Sequence, residues 1–224
     1  MALNIIQARS PNHNARAKPI SLIVLHYTGM ESGEAALARM CDAEAGVSAH
    51  YMIEEDGRVF QLVDESRRAW HAGVSEWAGE TDINSVSIGI EIVNGGHDFG
   101  LPDYPQAQIN CVISLVKEIM RRYGIPPHRV VGHSDVAPGR KQDPGEKFPW
   151  DQLAEAGCGL FPKAPGEAGD ASAQFAAIGY GLEAGERAVV KAFQRHYRPA
   201  RVDGVLDPET ARLVAAVAAL TPIP

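Results

Sequence analysis

Between Gly132 and Gly145 the chain reads G-H-S-D-V-A-P-G-R-K-Q-D-P-G, which brings an imidazole (His133), an ammonium (Lys141) and a carboxylate (Asp143) onto one short segment. Neutral imidazole and carboxylate suit Zn²⁺, and a catalytic zinc keeps three protein ligands with one position open for water. His133 and Asp143 supply two of the three. Asp143 precedes Pro144, whose ring pushes its neighbour toward extended backbone, and in an extended run Lys141 shares a face with Asp143. A fixed cation beside a metal gains nothing in packing. It becomes useful where negative charge develops on an oxygen during a reaction. The bland alternative is a solvated loop closed by an ion pair, so the flanking elements must decide.

Two apolar runs carry the imidazoles. Ile20-Ser21-Leu22-Ile23-Val24-Leu25 predicts a strand buried on both faces and runs into His26-Tyr27-Thr28-Gly29; Arg129-Val130-Val131 predicts another and runs into His133. Open sheets hold ligands beyond their strand ends, which makes His26 the third candidate ligand. One histidine at a strand end is usually structural, but two in matching contexts favour ligation. A further strand is expected over Ser85 to Asn94, with Val86, Ile88, Ile90 and Ile92 on the core face and Ser87, Gly89 and Glu91 on the other. Glu91 then projects toward a face kept open by small neighbours, where a carboxylate can act as general base. A surface carboxylate on an edge strand is the alternative.

The remaining elements frame these. Gly33 to Met40 predicts a short helix, and Val47 to Ile53 with Arg58 to Val63 predicts a hairpin around Asp56-Gly57. His50, mid-strand, competes as a ligand and is read as a site-wall or core residue. Asp64 to Ser85 reads as a loop whose Trp70, His71 and Trp77 either line a sugar or peptide cleft or pin the loop to the core. Pro105 to Tyr123 has helical apolar spacing and stops at Gly124. A closing helix is expected from Trp150 to Ala156.

The fold class expected is α/β, a mixed central β-sheet flanked by helices over residues 1–158. A Pro/Gly-marked linker over 159–171 leads to a small all-α, three-helix domain over 172–224. There Val190, Phe193 and Tyr197 share one helix face, Leu213, Val214, Val217 and Leu220 another, and Asp207-Pro208 opens the last helix. A unit this small must dock or pack very tightly. Its stripe of Arg187, Lys191, Arg195 and Arg198 reads as a solvated face.

Composition excludes several classes. With 224 residues, 45% hydrophobic and 22% charged, the chain is globular, and its apolar runs are too short for a membrane span. A formal charge of −7 argues against nucleic acid as a partner. Cys41, Cys111 and Cys158 have no C-x-x-C spacing, so neither a disulfide framework nor a cysteine zinc site is expected. Met1 to Gln7 lacks the basic and long apolar segments of an export signal, which makes the cytoplasm the default compartment and the cell envelope the alternative. Oligomeric state is open.

Five segments occur in order across residues 20–157: Leu25-His26-Tyr27-Thr28-Gly29, Ser48-Ala49-His50-Tyr51, Ala69-Trp70-His71-Ala72-Gly73, Ser87-Ile88-Gly89-Ile90-Glu91, and Gly132-His133-Ser134-Asp135 through Gly139 to Gly145. In these the chain resembles the zinc-dependent N-acetylmuramoyl-L-alanine amidases of the AmpD and AmiD type, relatives of phage T7-type amidases and animal peptidoglycan recognition proteins. The resemblance implies that His26, His133 and Asp143 hold one Zn²⁺, that Glu91 acts on water and that Lys141 stabilises an oxyanion. Its implied substrates are peptidoglycan or muropeptide fragments, cut between N-acetylmuramic acid, or its anhydro form, and L-alanine. Tyr27, His50, Trp70, His71 and Asn94 are the candidate substrate-binding residues. Asp143 stands where phage-type relatives carry cysteine, which points to the AmpD/AmiD branch. Residues 188–217 are similar to a three-helix peptidoglycan-binding domain, departing from it at Arg198-Pro199-Ala200-Arg201. Two rivals stand beside this reading: a non-catalytic peptidoglycan binder, though no ligand is missing here, and a zinc peptidase, although no H-E-x-x-H helix is present.

Overall fold

Eight short strands, most of them apolar and separated by turns, form among the residues 3–222 that the computed structural model describes. They are β1 (Ile5–Gln7), β2 (His13–Ala15), β3 (Leu22–Tyr27), β4 (Tyr51–Ile53), β5 (Val59–Gln61), β6 (Arg67–Ala69), β7 (Ser87–Ile92) and β8 (Val130–Gly132). Six of them form one mixed sheet in the order β1-β5-β4-β7-β3-β8, parallel except where β4 meets β5, while β2 and β6 pair separately. The helices are α1 (Gly33–Cys41), α2 (Ile83–Val86), α3 (Gln106–Tyr123), α4 (His133–Val136), α5 (Trp150–Glu155), α6 (Ala171–Ile178), α7 (Glu186–Tyr197) and α8 (Pro208–Leu220). Met1 and Ala2, which open the stretch read for an export signal, lie outside the described residues.

Alternation along β3 divides its side chains between two cores. Ile23 and Leu25 pack with Ile88, Ile90 and Ile92 of β7 under α3, whose Ile109, Val112, Val116 and Ile119 repeat at helical spacing. Gly124 ends that helix in the left-handed region, φ +67, donating its N–H to Met120 O. Leu22 and Val24 face the opposite way. They meet Val131 and Val136, and then Phe175, Val190, Phe193 and Val214 of the three C-terminal helices. Those helices therefore cover part of the sheet directly, and α1 covers the part carrying Met52 and Phe60. Residues 159–170 form no regular element but are held down, with Gly166 donating to Arg212 O at 2.9 Å.

Several expectations change. Val86 ends α2 instead of opening the strand, because the Ser87 hydroxyl donates to Ile83 O and Ser85 N to Asp82 O, closing a helical turn just before β7. The stretch from Asp64 to Ser85 contains β6, paired with β2, as well as α2. Leu220, at the last position of α8, is exposed. Among the described residues, no helix is long and apolar enough to cross a membrane.

Candidate metal centre and active site

Strand register sets the site. His26 of β3 lies opposite Glu91 of β7, and Leu25 lies opposite Gly132 of β8, so His133 follows at the same level. Three candidate side chains thus stand at one level at the carboxyl ends of three adjacent parallel strands, the edge at which open sheets bind ligands. His133 does not sit on a loop, as expected, but opens the short helix α4. The chain returns through turns rather than an extended run, with Arg140 N and Lys141 N both donating to Ala137 O. Asp143 is fixed where its own carbonyl accepts from Ser134 N at 2.9 Å.

His26 Nδ1, His133 Nδ1 and Asp143 Oδ2 form a closed triangle, with His26 to His133 at 2.9 Å, His133 to Asp143 at 2.9 Å and His26 to Asp143 at 3.0 Å. All three residues are buried. The surrounding hydrogen bonds assign the ring protons. His133 Nε2 donates to Ala72 O at 2.9 Å, which leaves Nδ1 as a bare lone pair. For His26 the assignment runs through two more side chains. The Ser87 hydroxyl spends its proton on Ile83 O, so it accepts from His71 Nε2 at 3.1 Å; His71 Nδ1 then accepts from His26 Nε2 at 3.1 Å. His26 Nδ1 is left as a lone pair too. Two lone pairs and a carboxylate oxygen facing one another with no proton among them repel unless a cation joins them, and this donor set fits a divalent metal held by two imidazoles and one carboxylate.

The electrostatics agree. Burial, reinforced by His133, lowers the His26 pKa from its ordinary 6.5 to about 4, which keeps the ring neutral at pH 7. Burial also holds His71 well below the usual imidazole range, with His26 adding to the effect. Asp143, against the effect of burial, is held far below the ordinary carboxylate range by positive charge at the neighbouring imidazoles, His133 foremost, so it is a carboxylate whether a proton or a metal cation occupies the triangle. Glu91 is the contrasting carboxyl. Its Oε2 is sealed from solvent without a hydrogen-bond partner, and burial, with the charge of Asp143, raises it well above an ordinary glutamate while Lys141 opposes the shift.

Around this centre lies a cleft of about 450 Å³ whose walls include Tyr27, Trp70, His71, Glu91 and Lys141. Tyr27 and Trp70 are half-buried, with Tyr27 Oη 3.0 Å from His97 Nδ1 and Trp70 Nε1 donating to Asn14 Oδ1. His71 stands behind His26 rather than free for a substrate. His50, read as a site-wall or core residue, and Asn94 do not line the cleft. His50 is fully buried, its Nδ1 accepting from Gly89 N and its Nε2 lying beside Arg67 O and Arg16. Asn94 is buried behind the cleft, donating to Pro102 O and accepting from Gly96 N. Sequence reasoning missed Ser87 as the anchor of the His71 ring, and missed Arg39 and Arg140 on the cleft wall. The signal for the first was present: Gly89, on the same strand face, leaves room for His71, whose ring would lie 2.5 Å from an added Cβ.

Known proteins share this fold. AmiD of Escherichia coli is 36% identical in an alignment covering 88% of this chain and 82% of AmiD. AmpD of Haemophilus influenzae is 34% identical over 65% of this chain and 88% of its own length. In three dimensions the chain matches the complex of E. coli AmiD with anhydro-N-acetylmuramic acid-L-Ala-D-γ-Glu-L-Lys at a TM-score of 0.80, covering 92% of each chain. Pseudomonas aeruginosa AmpDh3, in complex with anhydromuramic pentapeptide, matches at 0.82 with 38% identity, covering 91% of this chain and 92% of that one. Residues 16–146, which contain all three corners of the triangle together with Glu91 and Lys141, match the family described as N-acetylmuramoyl-L-alanine amidase, and the chain belongs to that family.

Proposed function

We propose that this chain is a zinc amidase that hydrolyses the bond between the lactyl group of N-acetylmuramic acid, or its anhydro form, and the L-alanine of a stem peptide. The observation that carries the reading is the proton-free triangle of His26, His133 and Asp143 beside the half-buried Glu91 carboxylate, one oxygen of which is sealed without a partner. The substrate follows from relatives: AmiD and AmpDh3 were solved with anhydromuramyl peptides bound.

His26, His133 and Asp143 would hold the zinc. A zinc ion there supplies Lewis acidity and lowers the pKa of water toward neutrality. Glu91 accepts a proton from the attacking water as its oxygen bonds to the amide carbonyl carbon. Lys141 faces the negative oxygen of the tetrahedral intermediate. When the C–N bond breaks, Glu91 returns its proton to the departing alanine nitrogen, giving a free muramyl acid and a peptide amine. Tyr27 and Trp70 offer the cleft's flat apolar surfaces for the sugar and peptide. We read residues 1–158 as the catalytic part, 159–171 as a linker, and 172–224 as a helical part that also touches substrate.

Digestion of an anhydromuramyl tripeptide by the zinc-loaded protein, followed by mass spectrometry, tests the reading. Expected products are the sugar acid and a peptide with a new amino-terminal alanine. A shortened stem still attached to sugar would instead identify a peptidase, and intact substrate retained on the protein would identify a binding protein.

A further inference from the structure

Beside the catalytic cleft lies a second groove of about 470 Å³, walled on one side by the turn carrying Arg140, Lys141 and Gln142 and on the other by Arg187, Lys191 and Arg195 of α7. Arg140, Lys141 and Gln142 also line the catalytic cleft, so one turn borders both spaces. No acidic residue lines the groove, in a chain of net charge −7. Among the described residues neither Arg187 nor Lys191 makes an ion pair. Arg140 spends its donors on the carbonyls of Ala72 and Val74 and, among the described residues, makes no ion pair.

Arg195 is the most telling of the five. Its guanidinium donates to Gln142 Oε1 at 3.0 Å, its Nε is sealed from solvent with no hydrogen-bond partner, and the nearest carboxylate, Glu146, is 3.9 Å away. Other arginines just beyond α7 are paired: Arg198 with Asp207 and Glu209, Arg201 with Asp203 and Asp207. The stems of Arg187 and Lys191 lie over Gly204, where an added Cβ would come within 2.9 Å of both, so their direction is set by packing. Five cations gathered with so little compensation repel one another unless an anion joins them.

We infer that this groove is a carboxylate subsite for the stem peptide of the molecule being cut. The inference rests on the proposed amidase reading, and chemistry selects the peptide half. Once the lactyl carboxyl is locked in the amide, the muramyl half is uncharged. A γ-linked glutamate leaves its α-carboxylate free, and the peptide ends in another carboxylate. The arginine stripe on α7 is then a substrate wall, contributed by the C-terminal helices to a reaction whose other groups lie on the sheet and on the segments beyond its strand ends.

Two measurements on the zinc-loaded full chain test this. The first is calorimetric binding of the free tripeptide L-Ala-D-γ-Glu-L-Lys and of the same peptide with its carboxylates amidated. The second is steady-state cleavage of the two corresponding anhydromuramyl peptides. The Arg187→Gln, Lys191→Gln double variant keeps the packed stems over Gly204 and removes two charges. It should weaken binding of the acidic peptide and raise its KM about tenfold, with kcat changing far less, while the amidated ligand is affected little. Equal affinity of wild type and variant for the acidic peptide would overturn the subsite, as would an equal loss on both ligands. Charge-dependent binding without amine release would keep the subsite and remove the amidase reading; amine release that ignores the substitutions would do the reverse.

Discussion

His26 and Glu91 are register partners on adjacent parallel strands, so a bare imidazole lone pair and an unpaired carboxylate share one rung of the sheet. Rigid backbone pairing, not loop conformation, fixes the separation between candidate ligand and candidate base. Glu91→Gln preserves shape and removes only the ability to take a proton. Turnover should fall by about 10² or more with zinc content and KM near wild type; metal analysis beside kinetics checks this, and full turnover would remove Glu91 from the mechanism.

The Ser87, His71, His26 chain gives a prediction independent of catalysis. Ser87→Ala takes away the acceptor that fixes the His71 tautomer, and His71→Phe takes away the partner of His26 Nε2. Either change should weaken zinc binding by about ten- to a hundredfold. Competition against a chromogenic chelator measures it directly.

Asp135 follows His133 by two residues yet looks away from the triangle, accepting from Gly132 N at 2.7 Å and Tyr180 Oη at 2.7 Å and meeting His196 Nδ1 at 2.8 Å. His196 stacks between Trp150 and Tyr197 at centroid distances of 3.7 and 3.9 Å. Replacing His196 with Phe keeps the stack and takes one of three hydrogen-bond partners from a buried carboxylate, at a cost of about 1–3 kcal/mol. Because sheet and C-terminal helices share one apolar cluster, the loss should appear in urea as a shift of a single transition. Two separate transitions, with only one shifted, would contradict it.

Acid sensitivity follows from His50. Burial, with the Arg16 charge adding to it, lowers its pKa from 6.5 to about 3. Below pH 6.5 the unfolded chain takes up a proton that the folded chain refuses, so this contribution is full above 6.5 and is lost as pH falls toward about 3. The slope from this one site reaches about 1.4 kcal/mol per pH unit. Urea midpoints across that range should fall less steeply in a His50→Asn variant than in wild type.

The site was legible in sequence to the extent that it depends on strand ends and period-two alternation. His26 and His133 each close an apolar run, and Glu91 shares a face with Ser87 and Gly89. What failed depended on partners distant in sequence. His50 and Asn94 sit inside recognisable segments, but whether a polar side chain faces a cleft or satisfies remote backbone groups, such as Arg67 O or Pro102 O, is decided by packing. The pairing of β2 with β6 escaped notice because three-residue strands carry too little pattern. The stripe on α7 was visible as spacing; only the fold sets it against the turn of Arg140 and Lys141.

One of the two edge strands of the sheet, β8, is paired on one side alone, and it delivers His133. A cation gripping that imidazole together with His26 on the neighbouring strand fastens the margin of the sheet as a clasp would. Chelation should therefore loosen the Val130–Val136 stretch first, raising its amide exchange ahead of the interior strands, and would couple the protein's lifetime to the supply of zinc around it.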